Sequence, residues 1–170
     1  QHRPSPSLGA SILARRRHDL GNELGHGVCA PVRPGTRLAS LEDAPGIARL
    51  STQLGYPVTE ADLRRRLEGL LASSNHLVAV AERNGTLLGW IAGEVRILLE
   101  SGPRVEISGL VVDATERRTG IGRMLVSDVE RWALQRHCQV VFVRSNVARS
   151  ESHPFYEQLG YERAKTQHAY

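Results

Sequence analysis

The stretch Val111-Val112-Asp113-Ala114-Thr115-Glu116-Arg117-Arg118-Thr119-Gly120-Ile121-Gly122-Arg123-Met124-Leu125 decides how the rest of the chain is read. An apolar run closes at Val112, a polar loop carries Arg117, Arg118 and two glycines, and Ile121, Leu125, Val129 and Trp132 then recur along one face of a helix. Strand, glycine loop and helix N-terminus together make an anion site. The first-turn amides have no intrahelical partner, and the helix dipole adds partial positive charge there. Gly120 and Gly122 lack Cβ, so the backbone can take positive φ and a phosphate can come close, with Arg117, Arg118 and Arg123 adding charge. A loop that only turns the chain is the plainer alternative. The stretch has no G-x-x-x-x-G-K-[ST], and Leu125 stands where G-x-G-x-x-G needs its third glycine, so a nucleotide or pyrophosphate ligand of another kind is to be considered.

Working outward, the segment on either side alternates strand and helix patterns. Thr36 to Ser40 reads as a short strand, and Leu41 to Leu54 as a helix opened by Glu42, Asp43 and Pro45 and stopped by Gly55-Tyr56-Pro57. A second helix starts after Thr59 as N-cap, with Leu63, Leu67, Leu70 and Leu71 as its apolar face. His76 to Arg83 and Thr86 to Leu98 form a hairpin through Asn84-Gly85, and Arg104 to Val112 is the strand entering the loop. After the long helix, Gln139 to Arg144 is a buried strand, Ser150 to Leu159 a short helix, and Tyr161 to Tyr170 the last strand or hairpin. Residues 1–34, with prolines at positions 4, 6, 31 and 34, read as a flexible extension with a short helix around Ser11 to Leu20, and Arg15-Arg16-Arg17 as a solvated charge run. Residues 35–170 form the domain.

The 170 residues are 41% hydrophobic and 24% charged, enough for one buried core. No apolar run approaches the roughly 18–20 residues that cross a bilayer, and the first residues carry no apolar leader segment, so neither membrane insertion nor secretion is expected. Cys29 and Cys138 make no C-x-x-C pair and the histidines show no H-x-x-x-H spacing, so no metal is expected and a reducing, cytoplasmic setting fits. The net charge of +4 raises nucleic acid as a partner, but 5% aromatic residues leave few stacking platforms; a phosphorylated cofactor accounts for the local charge better.

Arg117-x-x-Gly120-x-Gly122 matches the [QR]-x-x-G-x-[GA] signature of the GCN5-related N-acetyltransferases (GNAT), and the chain resembles that family from about residue 36 onward. Leu38 to Ala44, Gln53-Leu54-Gly55-Tyr56-Pro57, the hairpin, and Asn146 with Phe155-Tyr156 and Gly160-Tyr161 extend the likeness. The resemblance implies an α/β fold, a central mixed sheet flanked by helices, and acetyl-coenzyme A as cosubstrate. It implies that the amides of the loop from Arg117 through Arg118, Thr119, Gly120, Ile121 and Gly122 to Arg123 hold the pyrophosphate. Leu110, Val111 and Val112 would offer backbone groups to the pantetheine arm, with Asn146 and Tyr156 beside it. A homodimer is one assembly to expect, since many members form one.

Acetyl transfer to an amine needs a base, donors for the developing oxyanion and an acid for the leaving thiolate. Glu106 is the candidate base: at period two it would share a strand face with Ser108, Leu110 and Val112, and its place before Arg117 is similar to that of the glutamate in histone-acetylating members. Glu94 and a water are its rivals. Tyr156 is the candidate acid, since a phenol near pKa 10 can protonate a thiolate of about 8.5. His153 reads as a surface histidine. The pattern Arg149-x-x-x-His153-x-Phe155-Tyr156 looks like members that act on small amines. The expected function is therefore N-acetyl transfer to a primary amine of a small molecule, by direct attack in a ternary complex. A peptide or protein N-acetyltransferase, and a non-catalytic coenzyme A sensor, are the alternatives.

Overall fold

The computed structural model describes residues 11–17, 34–146 and 152–167. In chain order these form β1 (Ser11–Arg17), β2 (Gly35–Leu38), α1 (Ala44–Gln53), α2 (Glu60–Leu71), β3 (His76–Arg83) and β4 (Thr86–Leu98). Then follow β5 (Gly102–Val112), α3 (Ile121–Gln135), β6 (Val140–Asn146), α4 (Ser152–Gln158) and β7 (Glu162–Gln167). The strands make one mixed sheet in the order β2-β3-β4-β5-β6-β1-β7. All neighbours are antiparallel except β5 and β6, which α3 connects as a parallel crossover.

Alternation along β3 feeds two cores. Leu77, Ala79 and Ala81 join Leu125, Val126 and Val129 of α3 on one face. Val78 and Val80 join Ile47, Leu50 and Leu67 of α1 and α2 on the other. The close seat of α3 on the sheet depends on Gly89, where a Cβ would lie 2.7 Å from the Val111 carbonyl oxygen and 3.1 Å from Leu125 Cδ1. The expected Asn84-Gly85 hairpin is present, both residues in the left-handed region that a two-residue turn of this kind requires.

Two expectations are corrected. The register between β4 and β5 shifts at Ala92 and Gly93, which face Gly109 and Ile107, so Ser108 is an extra residue in β5. A bulge reverses the alternation beyond it. Glu106 and Val111 therefore face the α1 and α2 side, while Leu110 and Val112 pack toward α3; they do not share one face. The second correction concerns Ser11–Arg17, which is a strand and not a helix, antiparallel to β6 on one side and β7 on the other. Arg16 within it is half-buried and ion-paired, its guanidinium donating to Glu130 of α3 at 3.0 Å.

Candidate functional site

The loop after β5 is built by Asp113. Its carboxylate accepts from the Thr115 amide at 3.0 Å and the Thr115 hydroxyl at 2.8 Å, capping a short 3-10 turn over Ala114–Glu116. Arg49 of α1 donates to it at 2.6 Å, and Gln53 bonds both Asp113 and the Ala114 amide, so α1 fixes where the loop begins. Glu116, the acidic group nearest the loop arginines in sequence, is ion-paired with Arg83. Together Arg49 and Thr115 hold the Asp113 carboxyl well below the usual carboxylate range. A depressed carboxylate contributes stability above its unfolded value, near 3.9, and loses it as pH falls through the lower folded value. The melting temperature should therefore drop as pH is lowered below about 4. Asp113→Asn should flatten that drop in part, because Asp43, bonded by Arg37 through two contacts of 2.8 Å, shifts the same way. A pH series of thermal melts on both proteins checks this.

Beyond Glu116 the chain turns through Arg118 at φ +65° and Gly120 at φ +92° and enters α3. Gly122 takes helical angles instead. Its missing Cβ serves close packing: one built there would lie 3.0 Å from the Phe155 ring and 3.7 Å from Val112. Among the described residues no side chain caps α3, whose N-cap is Gly120, and its first turn carries no acidic residue, whereas α2 is capped by Thr59. The first-turn amides of α3 are thus left with the helix's positive end uncompensated, beside Arg117, Arg118 and Arg123. Thr119 turns its hydroxyl back to the Glu116 carbonyl at 2.6 Å and so braces the loop.

Strands β5 and β6 pair only over Val105–Ile107 and Val141–Val143, then part. Asp113 donates its amide to Leu88 on β4, so alternation turns the backbone groups of Val112 and Leu110 the other way, into the gap, and those of Val111 toward β4. A cavity of about 840 Å³ opens at this gap and runs beneath the α1–α2 connection. Leu110, Asn146 and Tyr156 of the expected site residues line it; the loop from Arg117 to Arg123, Val111, Val112 and Glu106 do not. Phe155 links the two parts, touching the Gly122 position on one side and meeting Tyr156 edge-to-face at 5.0 Å on the other. Tyr156 is at once a buried core residue and a wall of the cavity. Its neighbour Tyr161 is sealed in the core, and burial pushes that phenol far above its ordinary range.

Glu106 is buried in a ring of three guanidiniums. Arg144 reaches one carboxylate oxygen at 2.6 Å, and Arg104 and Arg96 reach the other at 3.2 and 3.5 Å. Glu94 stands opposite on β4, 3.8 Å from both His76 and Arg96. His153 donates from its ring to the Asn146 carbonyl at 3.3 Å, which stiffens the end of β6. The sequence reading names neither Trp90 nor Ser152, both on the cavity wall; it expects the slot for the pantetheine arm at Val143 to Ser145, and that segment lines the cavity with Arg144 and with Ser145, whose hydroxyl pairs with that of Ser152. Ser145 carried a signal, since it follows Val141 and Val143 on the buried face of β6. Arg149 and Cys29 lie outside the described residues. Among the described residues, no His, Cys, Asp and Glu cluster could hold a metal, and no helix is long and apolar enough to cross a membrane.

Comparisons with known proteins bear on the family and the fold. Residues 45–161 match the family model described as the Acetyltransferase (GNAT) family. A Bacillus subtilis (strain 168) protein described as an uncharacterized N-acetyltransferase, YhdJ, is 25% identical over 115 residues, covering 62% of this chain and 81% of that protein. An aminoglycoside N-acetyltransferase, AAC(6')-Iy, solved in complex with coenzyme A, superposes with TM-score 0.77 at 19% identity, over 84% of this chain and 97% of that one. A glucosamine-6-phosphate N-acetyltransferase from Arabidopsis thaliana superposes with TM-score 0.70 at 22% identity, over 81% and 97%. The two structures share the fold. With its uncapped helix over a glycine loop, its parted parallel strands and a family match spanning most of its length, the chain belongs to the GNAT acetyltransferase family.

Proposed function

We propose that this protein transfers the acetyl group of acetyl-coenzyme A to a primary amine of a small molecule, by direct attack within a ternary complex. The observation that carries the reading is the uncapped, arginine-flanked N-terminus of α3, joined through Phe155 to a cavity that Tyr156 lines. The pyrophosphate would sit on the amides at Ile121, Gly122 and Arg123, and the pantetheine arm would lie in the gap beyond Ile107. Backbone groups of Leu110 and Val112 face that gap and would meet the arm's amides and the oxyanion, with Asn146 at the far wall. The amine nitrogen attacks the thioester carbon, the C–S bond breaks with its electrons leaving on sulfur, and the Tyr156 hydroxyl gives its proton to that sulfur. Both oxygens of Glu106 are held by guanidiniums, so the ammonium proton passes to water in the open cavity, from which the Tyr156 phenolate regains its proton, and Glu106 positions Arg144.

Thermal unfolding with acetyl-coenzyme A, desulfo-coenzyme A and ATP tests the reading. Ligand at about 100 times its dissociation constant adds roughly 2.7 kcal/mol, which for a chain of this size raises the melting temperature by about 5–10 °C. Both coenzyme A compounds should give the rise and ATP little. No shift at saturating ligand would remove the proposal.

A further inference from the structure

The cavity wall is unusual in its charge. Among its described residues there is no aspartate or glutamate, and its two charged side chains are both arginines, Arg66 of α2 and Arg144 of β6. Leu54, Tyr56, Leu63 and Trp90 contribute apolar and aromatic surface to the same cavity. Arg66 is exposed and makes no hydrogen bond or ion pair among the described residues; Asp62, one turn earlier, is engaged by Arg65 at 2.7 Å and by Thr59. Arg144 is aimed by its neighbour: the Nε edge is held on Glu106 at 2.6 Å, and the two terminal nitrogens make no bond among the described residues. The nearest carboxylates cannot offset this, because Glu106 faces three arginines and Glu94 faces His76 and Arg96. On this face of β4, β5 and β6 three arginines stand against two glutamates, before Arg66 is added.

Resting on the acetyl-transfer reading, we infer that the acceptor amine carries an anionic group, a carboxylate or a phosphate, which Arg144 and Arg66 bind while its apolar part lies against Trp90 and Leu63. Guanidiniums suit both oxyanions through paired N–H donors. A wall whose described residues hold two arginines and no carboxylate disfavours an acceptor with several positive charges, since each added cation meets like charge there. The arrangement thus separates this protein's acceptor from the polycationic aminoglycosides.

The test compares matched amines by thiol release at saturating acetyl-coenzyme A: phenylalanine against phenethylamine for the carboxylate, phosphoethanolamine against ethanolamine for the phosphate, and kanamycin as the polycation. At least one anionic amine should exceed its neutral partner tenfold or more in kcat/KM. Arg66→Gln, an exposed helix position, and Arg144→Gln should each cut that ratio at least fivefold while coenzyme A affinity by calorimetry stays the same. A ratio near one, preference for kanamycin, or no transfer to either anionic amine in a protein that binds acetyl-coenzyme A would overturn the inference, as would loss of coenzyme A affinity in the arginine variants. Failure to bind acetyl-coenzyme A at all would instead sink the acetyl-transfer reading. The anion preference would then be decided by titrating the same probes against fluorescence that Trp90→Phe abolishes, with equal affinity for charged and neutral probes overturning it.

Discussion

Gly122→Trp should weaken coenzyme A binding by at least 100-fold, about 2.8 kcal/mol, in calorimetry, while circular dichroism keeps the native spectrum. An indole in the first turn of α3 covers the amides that have no cap, and it stands where a phosphate would need to approach. It also meets Phe155, whose ring lies 3.0 Å from the Cβ position, so part of the effect could come from displaced packing. The double variant Gly122→Trp with Phe155→Ala separates the two. Removing the ring leaves Val112 at 3.7 Å, an ordinary contact. Continued loss of affinity in the double variant assigns the effect to the covered amides. Recovery assigns it to Phe155 and the adjoining cavity wall.

Tyr156→Phe should lower kcat by 100-fold or more, the usual range for removing a general acid, with little change in acetyl-coenzyme A affinity. The ring keeps its edge-to-face contacts with Phe155 and Tyr161, at 5.0 and 5.6 Å, so the fold should hold. An unaltered kcat would end the role of the hydroxyl. Glu106→Gln supplies the contrast. It leaves the half-buried Arg104 with one counter-charge fewer, and removing the buried partner of such a pair costs about 3 kcal/mol, a drop of roughly 6–12 °C in melting temperature. If Glu106 positions Arg144, the rate should change through KM for the acceptor, and the acidic limb of the pH–rate profile should stay in place. Flattening of that limb would make Glu106 the base.

The element order from β2 to β7 was legible because each signal is local. Apolar spacing, the Thr59 cap, the early Pro45 and the Asn84-Gly85 turn are all decided within a few residues. The place of the glycine loop between β5 and α3 was legible for the same reason. The bulge at Ser108 was not: Glu106, Ser108, Leu110 and Val112 alternate without a break, and the extra residue exists only in relation to the register of β4. The arginine ring around Glu106 was hidden likewise, since its members come from three strands that meet only after the sheet is aligned. Ser11–Arg17 failed on propensity. Leucine, alanine and arginine favour a helix in isolation, and two distant strands overrule them.

That first strand has a kinetic meaning. During synthesis β1 emerges long before β6 and β7, between which it belongs, and Arg16 waits for Glu130, 114 residues further along. Until then its backbone donors and acceptors have no native ladder, and in every later opening the run Val140-Val141-Phe142-Val143 bares an apolar edge able to pair with another chain. β1 therefore acts as a late-closing seal. Hydrogen exchange should find its amides opening ahead of those in β3 and β4, and conditions that release it should promote self-association before any loss of the α3 core.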